Sequence, residues 1–171
     1  MGKAWIALAG ISGAGKTTVG QVVSELMNLP FYDLDQIIEQ GCRLTIPEYV
    51  GRYGWEPFRR QEKLALYILL RYAHPGVLAL GGGTLVDDDN WVELSTRAHL
   101  VYLEIDPRVA YLRLEQSGIV QRPLLAGGYD SLKSLFEQRQ ARYEQCELKV
   151  NADAPPNKVA LDILEALELN V

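Results

Sequence analysis

Only two cysteines, Cys42 and Cys146, occur in 171 residues, and their separation matches no metal-ligand or redox spacing. A disulfide framework is therefore not what organises the chain, and a reducing, cytoplasmic compartment is expected. Cationic residues are in the minority: 17 Lys and Arg stand against 22 Asp and Glu, a net charge of -5. That balance leaves no broad cationic face for nucleic acid, so an anionic ligand must be met by a few local Arg or Lys side chains. Long apolar runs are missing too. The stretch from Leu64 to Leu70 is bounded by Lys63 and Arg71 and is far too short to span a bilayer. Lys3 and the apolar residues after it resemble the start of a signal peptide, but the run enters Gly10 and meets Lys16, so a buried strand is expected instead. Hydrophobic residues at 48% and charged residues at 23% fit an ordinary globular chain, and the length sets an expectation of one domain over residues 1–171.

What is present is a strand–helix alternation without repeats. Apolar runs at 4–9, 77–80 and 100–105 predict strands buried on both faces, with shorter strands at 31–35 and 147–150. Helices are expected at 16–28, 56–73 and 157–168, with further starts at Asp87, Asp106-Pro107 and Asp130 and a capping box at Thr45–Glu48. Such alternation implies a parallel sheet covered by helices, and ligands then bind beyond the carboxyl ends of its strands. The chemistry is therefore expected at 10–17, 33–35, 81–83 and the glycine-rich break at 117–129.

Gly10-Ile-Ser-Gly-Ala-Gly-Lys16-Thr17 fits the phosphate-loop pattern G-x-x-x-x-G-K-[ST], placed between an apolar strand and an amphipathic helix as the pattern requires. Its glycines let backbone N–H groups wrap phosphate oxygens, and the helix adds its positive end. Gly13, Ala14, Gly15, Lys16, Thr17 and Thr18 are thus candidate ATP-binding residues, with Lys16 on the terminal phosphates and the Thr17 hydroxyl on Mg²⁺. The third strand ends in Gly81 and offers no second carboxylate there. Asp33 and Asp35 are the candidates: in an extended segment residues two apart face one side, so one carboxylate can serve the metal's water shell and the other an acceptor hydroxyl. Helix caps remain the alternative reading of this pair.

In chain order, Gly10–Thr18, Asp33-Leu-Asp35, Phe58-Arg-Arg-Gln-Glu62, Gly81-Gly-Gly83, Arg122-Pro-Leu-Leu125 and Arg139 four residues before Tyr143 resemble the shikimate kinase family over most of the chain. The resemblance implies a three-layer α/β P-loop kinase fold of nucleoside-monophosphate-kinase type. It further implies a central parallel five-stranded sheet, a helical substrate segment at about 34–60 and a mobile lid at about 117–129. It also implies transfer of the ATP γ-phosphoryl group to the 3-hydroxyl of shikimate by a monomeric Mg²⁺-dependent enzyme. By position, Arg59 and Arg139 match the carboxylate-binding arginines, Gly82 the middle glycine of the triplet, and Asp35 the hydroxyl-binding carboxylate and base. Asp33 matches the carboxylate near the metal, through water, and Arg122 the lid arginine on the phosphates. Arg suits a carboxylate because its planar fork pairs with both oxygens.

From spacing alone Arg59 could lie on a solvated helix face, Arg122 could be an ordinary surface charge, and Arg139 cannot be distinguished from Arg142. His74 and His99 have no evident partners, and Trp55, beside Arg59, is a candidate pocket wall. Three positions depart from the family: Gln116 where an adenine-packing Arg is common (Arg113 lies one turn earlier), Asn151-Ala-Asp153 in the adenine-side segment, and Trp55 where Glu is common. The lid is one residue shorter than in some relatives. The competing readings are a kinase of the same fold acting on gluconate or a nucleotide, and a non-catalytic nucleotide-binding protein.

Overall fold

The computed structural model describes residues 3–118 and 127–169. Five strands, β1 (Trp5–Ala9), β2 (Phe31–Asp33), β3 (Val77–Ala79), β4 (Ala98–Glu104) and β5 (Leu148–Asn151), form one sheet in the order β2-β3-β1-β4-β5. Every neighbouring pair is parallel. The apolar runs lie where burial is deepest. All of β1 and β3 is buried, whereas the two edge strands keep partial exposure. A strand sandwiched between helix layers must be apolar on both faces, which is why these runs show no alternation.

Among the described residues eight α-helices surround the sheet: α1 (Lys16–Met27), α2 (Leu34–Cys42), α3 (Ile46–Tyr53), α4 (Trp55–Tyr72), α5 (Asp88–Arg97), α6 (Pro107–Gln116), α7 (Tyr129–Tyr143) and α8 (Pro156–Ala166). Helices α1 and α8 pack on each other, α4 packs on α5, and α2 and α3 pack against α4. Local chemistry fixes their starts. Thr45 and Glu48 form the predicted capping box, and Asp87 and Asp106 accept from the N–H groups of Asn90 and Arg108 at 3.0 and 2.7 Å. These bonds satisfy donors that the first turn leaves without intrahelical partners.

Three expectations are corrected. Asp35 does not extend β2: the strand ends at Asp33, and Asp35 lies in the first turn of α2. The start predicted at Asp130 belongs to Gly128, whose φ of +69° turns the chain into α7; Asp130 instead places its charge in the first turn, at the positive end of the helix dipole. His99 does have a partner, since its Nδ1 lies 3.2 Å from Glu147 Oε1. Both cysteines are free, and burial pushes the Cys146 thiol up to about 12, which suppresses its thiolate. No helix among the described residues is long and apolar enough to cross a membrane.

Candidate active site

Because all five strands run the same way, their carboxyl ends share one rim, and the loops leaving β1, β2 and β3 meet there. The loop after β1 climbs through Gly10–Gly15 into α1. Gly13 holds φ at +85°, and a Cβ there would stand 2.4 Å from the Ala110 carbonyl oxygen, so backbone conformation and space both exclude a side chain. Gly15 is the N-cap and supplies no side-chain bond, and α1 has no acidic residue in its first turn. The amino end of α1 therefore keeps its positive potential for an anion. Lys16 arches back over the loop, its Nζ donating to the carbonyls of Gly10 and Ile11 at 2.8 and 3.0 Å.

In the first turn of α1, the Thr17 hydroxyl donates to Asp33 Oδ2 at 2.7 Å. The other Asp33 oxygen accepts from the N–H of Gln36 at 3.2 Å. Asp33 is thus the cap of α2, as one reading of the sequence had it, and it also lies beside Thr17. Thr17 and Asp33 are hard oxygen donors, too few to cage a cation alone. That suits Mg²⁺, which keeps several waters and takes the rest of its ligands from phosphates. Among the described residues no group of three or more His, Cys, Asp or Glu could hold a metal by itself.

A cleft of about 870 Å³ opens beside this pair, lined by Thr17, Thr18, Asp33, Asp35, Arg59 and Arg139 together with the glycine triplet and Trp55. The triplet organises it. A Cβ on Gly81 would stand 2.8 Å from Asp35 Oδ1, one on Gly82 3.2 Å from Arg139 Nη1, and one on Gly83 2.5 Å from Arg59 Nη2. Three consecutive residues therefore each give up a side chain so that a different polar group can lie against the backbone. Arg59 arrives from α4 and Arg139 from α7, and because adjacent Cα atoms are about 3.8 Å apart, the two guanidinium groups converge on neighbouring peptides.

Glu62 was quoted in the sequence without a role, and the structure gives it one. It is 1% exposed, accepts from Arg59 Nη1 at 2.7 Å and from the Thr84 hydroxyl at 2.8 Å. A buried carboxylate needs such partners, and here they fix the direction of the Arg59 fork. The signal was readable: Phe58, Glu62, Leu66 and Leu69 share one face of α4 and are all buried, so Glu62 is a charge on an apolar stripe. Trp55 and Phe58 flank the same guanidinium, each ring centroid 5.5 Å from Arg59 Cζ, in cation–π range. Arg142, the rival of Arg139, pairs with Asp88 and lies 4.9 Å over Trp91, away from the cleft. Arg113 donates to the Ala152 carbonyl at 3.1 Å, fastening the segment after β5 to α6. Arg122, and most of the expected lid, lies outside the described residues.

Residues 12–168 match the family model described as shikimate kinase. The chain is 33% identical over 165 residues to a shikimate kinase of Aquifex aeolicus, covering 96% of each. The solved structure of shikimate kinase from Acinetobacter baumannii in complex with shikimate is 30% identical and superposes with a TM-score of 0.90, over 97% of this chain and 93% of that one. A gluconokinase from Sinorhizobium meliloti covers 96% of this chain and 92% of its own at a TM-score of 0.63 and 17% identity, a likeness of architecture alone. Sequence and structure agree over nearly the whole length: the chain belongs to the shikimate kinase family.

Proposed function

We propose that the protein transfers the γ-phosphoryl group of MgATP to the 3-hydroxyl of shikimate, giving shikimate 3-phosphate and ADP. The observation that carries this reading is the convergence of Arg59 and Arg139 on Gly83 and Gly82, in the same cleft as Asp35 and beside the phosphate loop. Two arginine forks at one end of a small cleft suit a carboxylate, and a carboxylate side chain near the loop suits a hydroxyl that must lose its proton.

Phosphoryl transfer asks for position and charge neutralisation more than covalent chemistry. Arg59 and Arg139 hold the acceptor by its carboxylate, which turns its ring toward Asp35. Asp35 accepts the hydrogen bond of the 3-hydroxyl and takes its proton as the oxygen–phosphorus bond forms. The bond between the γ-phosphorus and the β,γ-bridging oxygen breaks, and ADP leaves with that oxygen. The loop N–H groups of Gly13–Thr18 and the Lys16 ammonium bind the phosphates. The Thr17 hydroxyl and, through water, Asp33 would hold Mg²⁺, which would supply charge neutralisation at the phosphates. Arg122 is assigned the remaining charge on the transferred group. The free thiols and the ATP requirement go with a cytoplasmic enzyme, read as a monomer of one domain.

The test is ADP release from MgATP by the purified protein with shikimate, gluconate or AMP. Shikimate-dependent release, reduced about 10²- to 10⁴-fold by Asp35→Asn with the KM for ATP retained, is expected. Release driven by gluconate or AMP instead moves the acceptor, and ATP binding without any release marks a protein that binds nucleotide without transferring phosphate.

A further inference from the structure

Tyr143 is the last residue of α7, one turn beyond Arg139. It is 2% exposed, and its ring stacks on Tyr102 of β4 with centroids 5.2 Å apart and planes 23° from parallel. Its hydroxyl donates to the Gly82 carbonyl at 2.5 Å, and Arg139 Nη1 lies against the same residue, 3.2 Å from where a Gly82 Cβ would stand. A phenol carries one proton and two acceptor lone pairs, whereas a guanidinium only donates. The one phenol proton is committed to the Gly82 carbonyl. Burial pushes the phenol up to about 12 against the pull of the Arg139 charge, so the proton stays in place through neutral pH.

We propose that Tyr143 is a positioning residue for the acceptor: its hydroxyl fixes the Gly82 peptide, against which the Arg139 guanidinium lies. The inference rests on the reading of Arg139 as a ligand of the acceptor carboxylate. An unrestrained arginine loses much rotamer freedom when it binds. A peptide held in one orientation by a buried hydroxyl gives the fork a fixed surface to lie against before the acceptor arrives, which reduces that loss. The stack on Tyr102 adds an anchor outside the cleft. Tyr102 pairs in register with Ala9, the residue before the phosphate loop, so the tether ties the Gly82 peptide to the strand pair that carries the loop. Glu62 holds Arg59 by a direct bond from α4, whereas Tyr143 acts on Arg139 through the Gly82 peptide.

The experiment is steady-state kinetics of wild type and Tyr143→Phe with shikimate and with its amide, in which the carboxylate is absent. Phe keeps the ring, its volume and the stack, and thermal melting checks that the variant is folded. The KM for shikimate should rise about tenfold, with kcat and the KM for ATP within twofold of wild type, the pattern of lost uniform binding. With the amide, the two proteins should differ by less than twofold. An unchanged shikimate KM, an equal rise in the KM for ATP, or an equal penalty on the amide overturns the proposal while leaving shikimate kinase activity intact. Absence of shikimate-dependent turnover in wild type overturns the functional reading, and this inference with it.

Discussion

Thr17 Oγ1 and Asp33 Oδ2 lie 2.7 Å apart and join the first turn of α1 to the end of β2. Asp33 is held at its second oxygen as well, by the Gln36 N–H. Its carboxylate is therefore oriented by two elements at once, with one oxygen held beside Thr17 at the start of α1.

This double bonding separates metal binding from folding. Asp33→Asn keeps the cap, because Asn caps helices as well as Asp does, but removes the negative charge. The Mg²⁺ concentration for half-maximal rate should rise about 10- to 100-fold, as for other lost partners just outside a metal's own ligands, with unfolding free energy nearly unchanged. Asp33→Ala should show the same metal dependence and lose about 1 kcal/mol more stability. Magnesium titration of initial rates beside urea unfolding checks both. An unchanged magnesium dependence in Asp33→Asn removes Asp33 from the metal site.

Glycine replacements should divide into two kinds. In Gly83→Ala the new Cβ meets Arg59 Nη2 at 2.5 Å, a side-chain end that can swing aside but must leave Glu62 to do so. The KM for shikimate should rise tenfold or more, the KM for ATP should hold, and stability should fall by about 1–3 kcal/mol for the disturbed buried carboxylate. In Gly13→Ala the Cβ meets a carbonyl oxygen of α6 at 2.4 Å on backbone held at φ +85°, and neither can retreat. That variant should lose about 2–5 kcal/mol and bind ATP poorly. Melting and paired KM values distinguish the two.

Glu93 supplies a pH-dependent contribution far from the cleft. The hydrogen bond from Arg71 holds its carboxyl below the ordinary 4.5; burial opposes this and the bond from Arg97 adds to it. A depressed folded-state value means that the unfolded chain takes up the proton first as pH falls, so the stabilisation is complete above about pH 5 and is lost below the folded value. The group is about a third exposed, so the effect is no more than about 1 kcal/mol. Wild type should melt above Glu93→Gln at pH 7, and the gap should close by about pH 3. A gap that persists at pH 3 removes ionisation as its cause.

Much of this site was legible in the sequence because its parts are contiguous. The phosphate loop is one unbroken motif, and Asp33, Asp35, Arg59, Gly82 and Arg139 all line one cleft. The pairing of Asp33 with Asp35 was reached through the wrong geometry: the alternation argument assumed a strand, whereas Asp35 starts a helix. Arg139 and Arg142 could not be separated because both stand on a polar helix, and the choice depends on how α7 is rotated. Leu132 and Tyr143, the buried residues of that helix, fix the rotation through contacts made only in the folded chain. What approaches each triplet glycine was equally hidden, since the neighbours come from α2, α4 and α7.

The central position of β1 has a consequence for how the chain is made. Trp5–Ala9 must hydrogen-bond β3 on one side and β4 on the other, and the last of those partners is Tyr102. A ribosome adding about 5–20 residues per second leaves the strand without its second neighbour for roughly 5–20 s. Through that interval the most apolar segment of the amino-terminal part has an open edge, and late pairing of this kind slows folding. The demand for chaperones during synthesis therefore falls on the strand that will carry the phosphate loop, and nascent chains stalled before β4 expose it to any protease or holdase nearby.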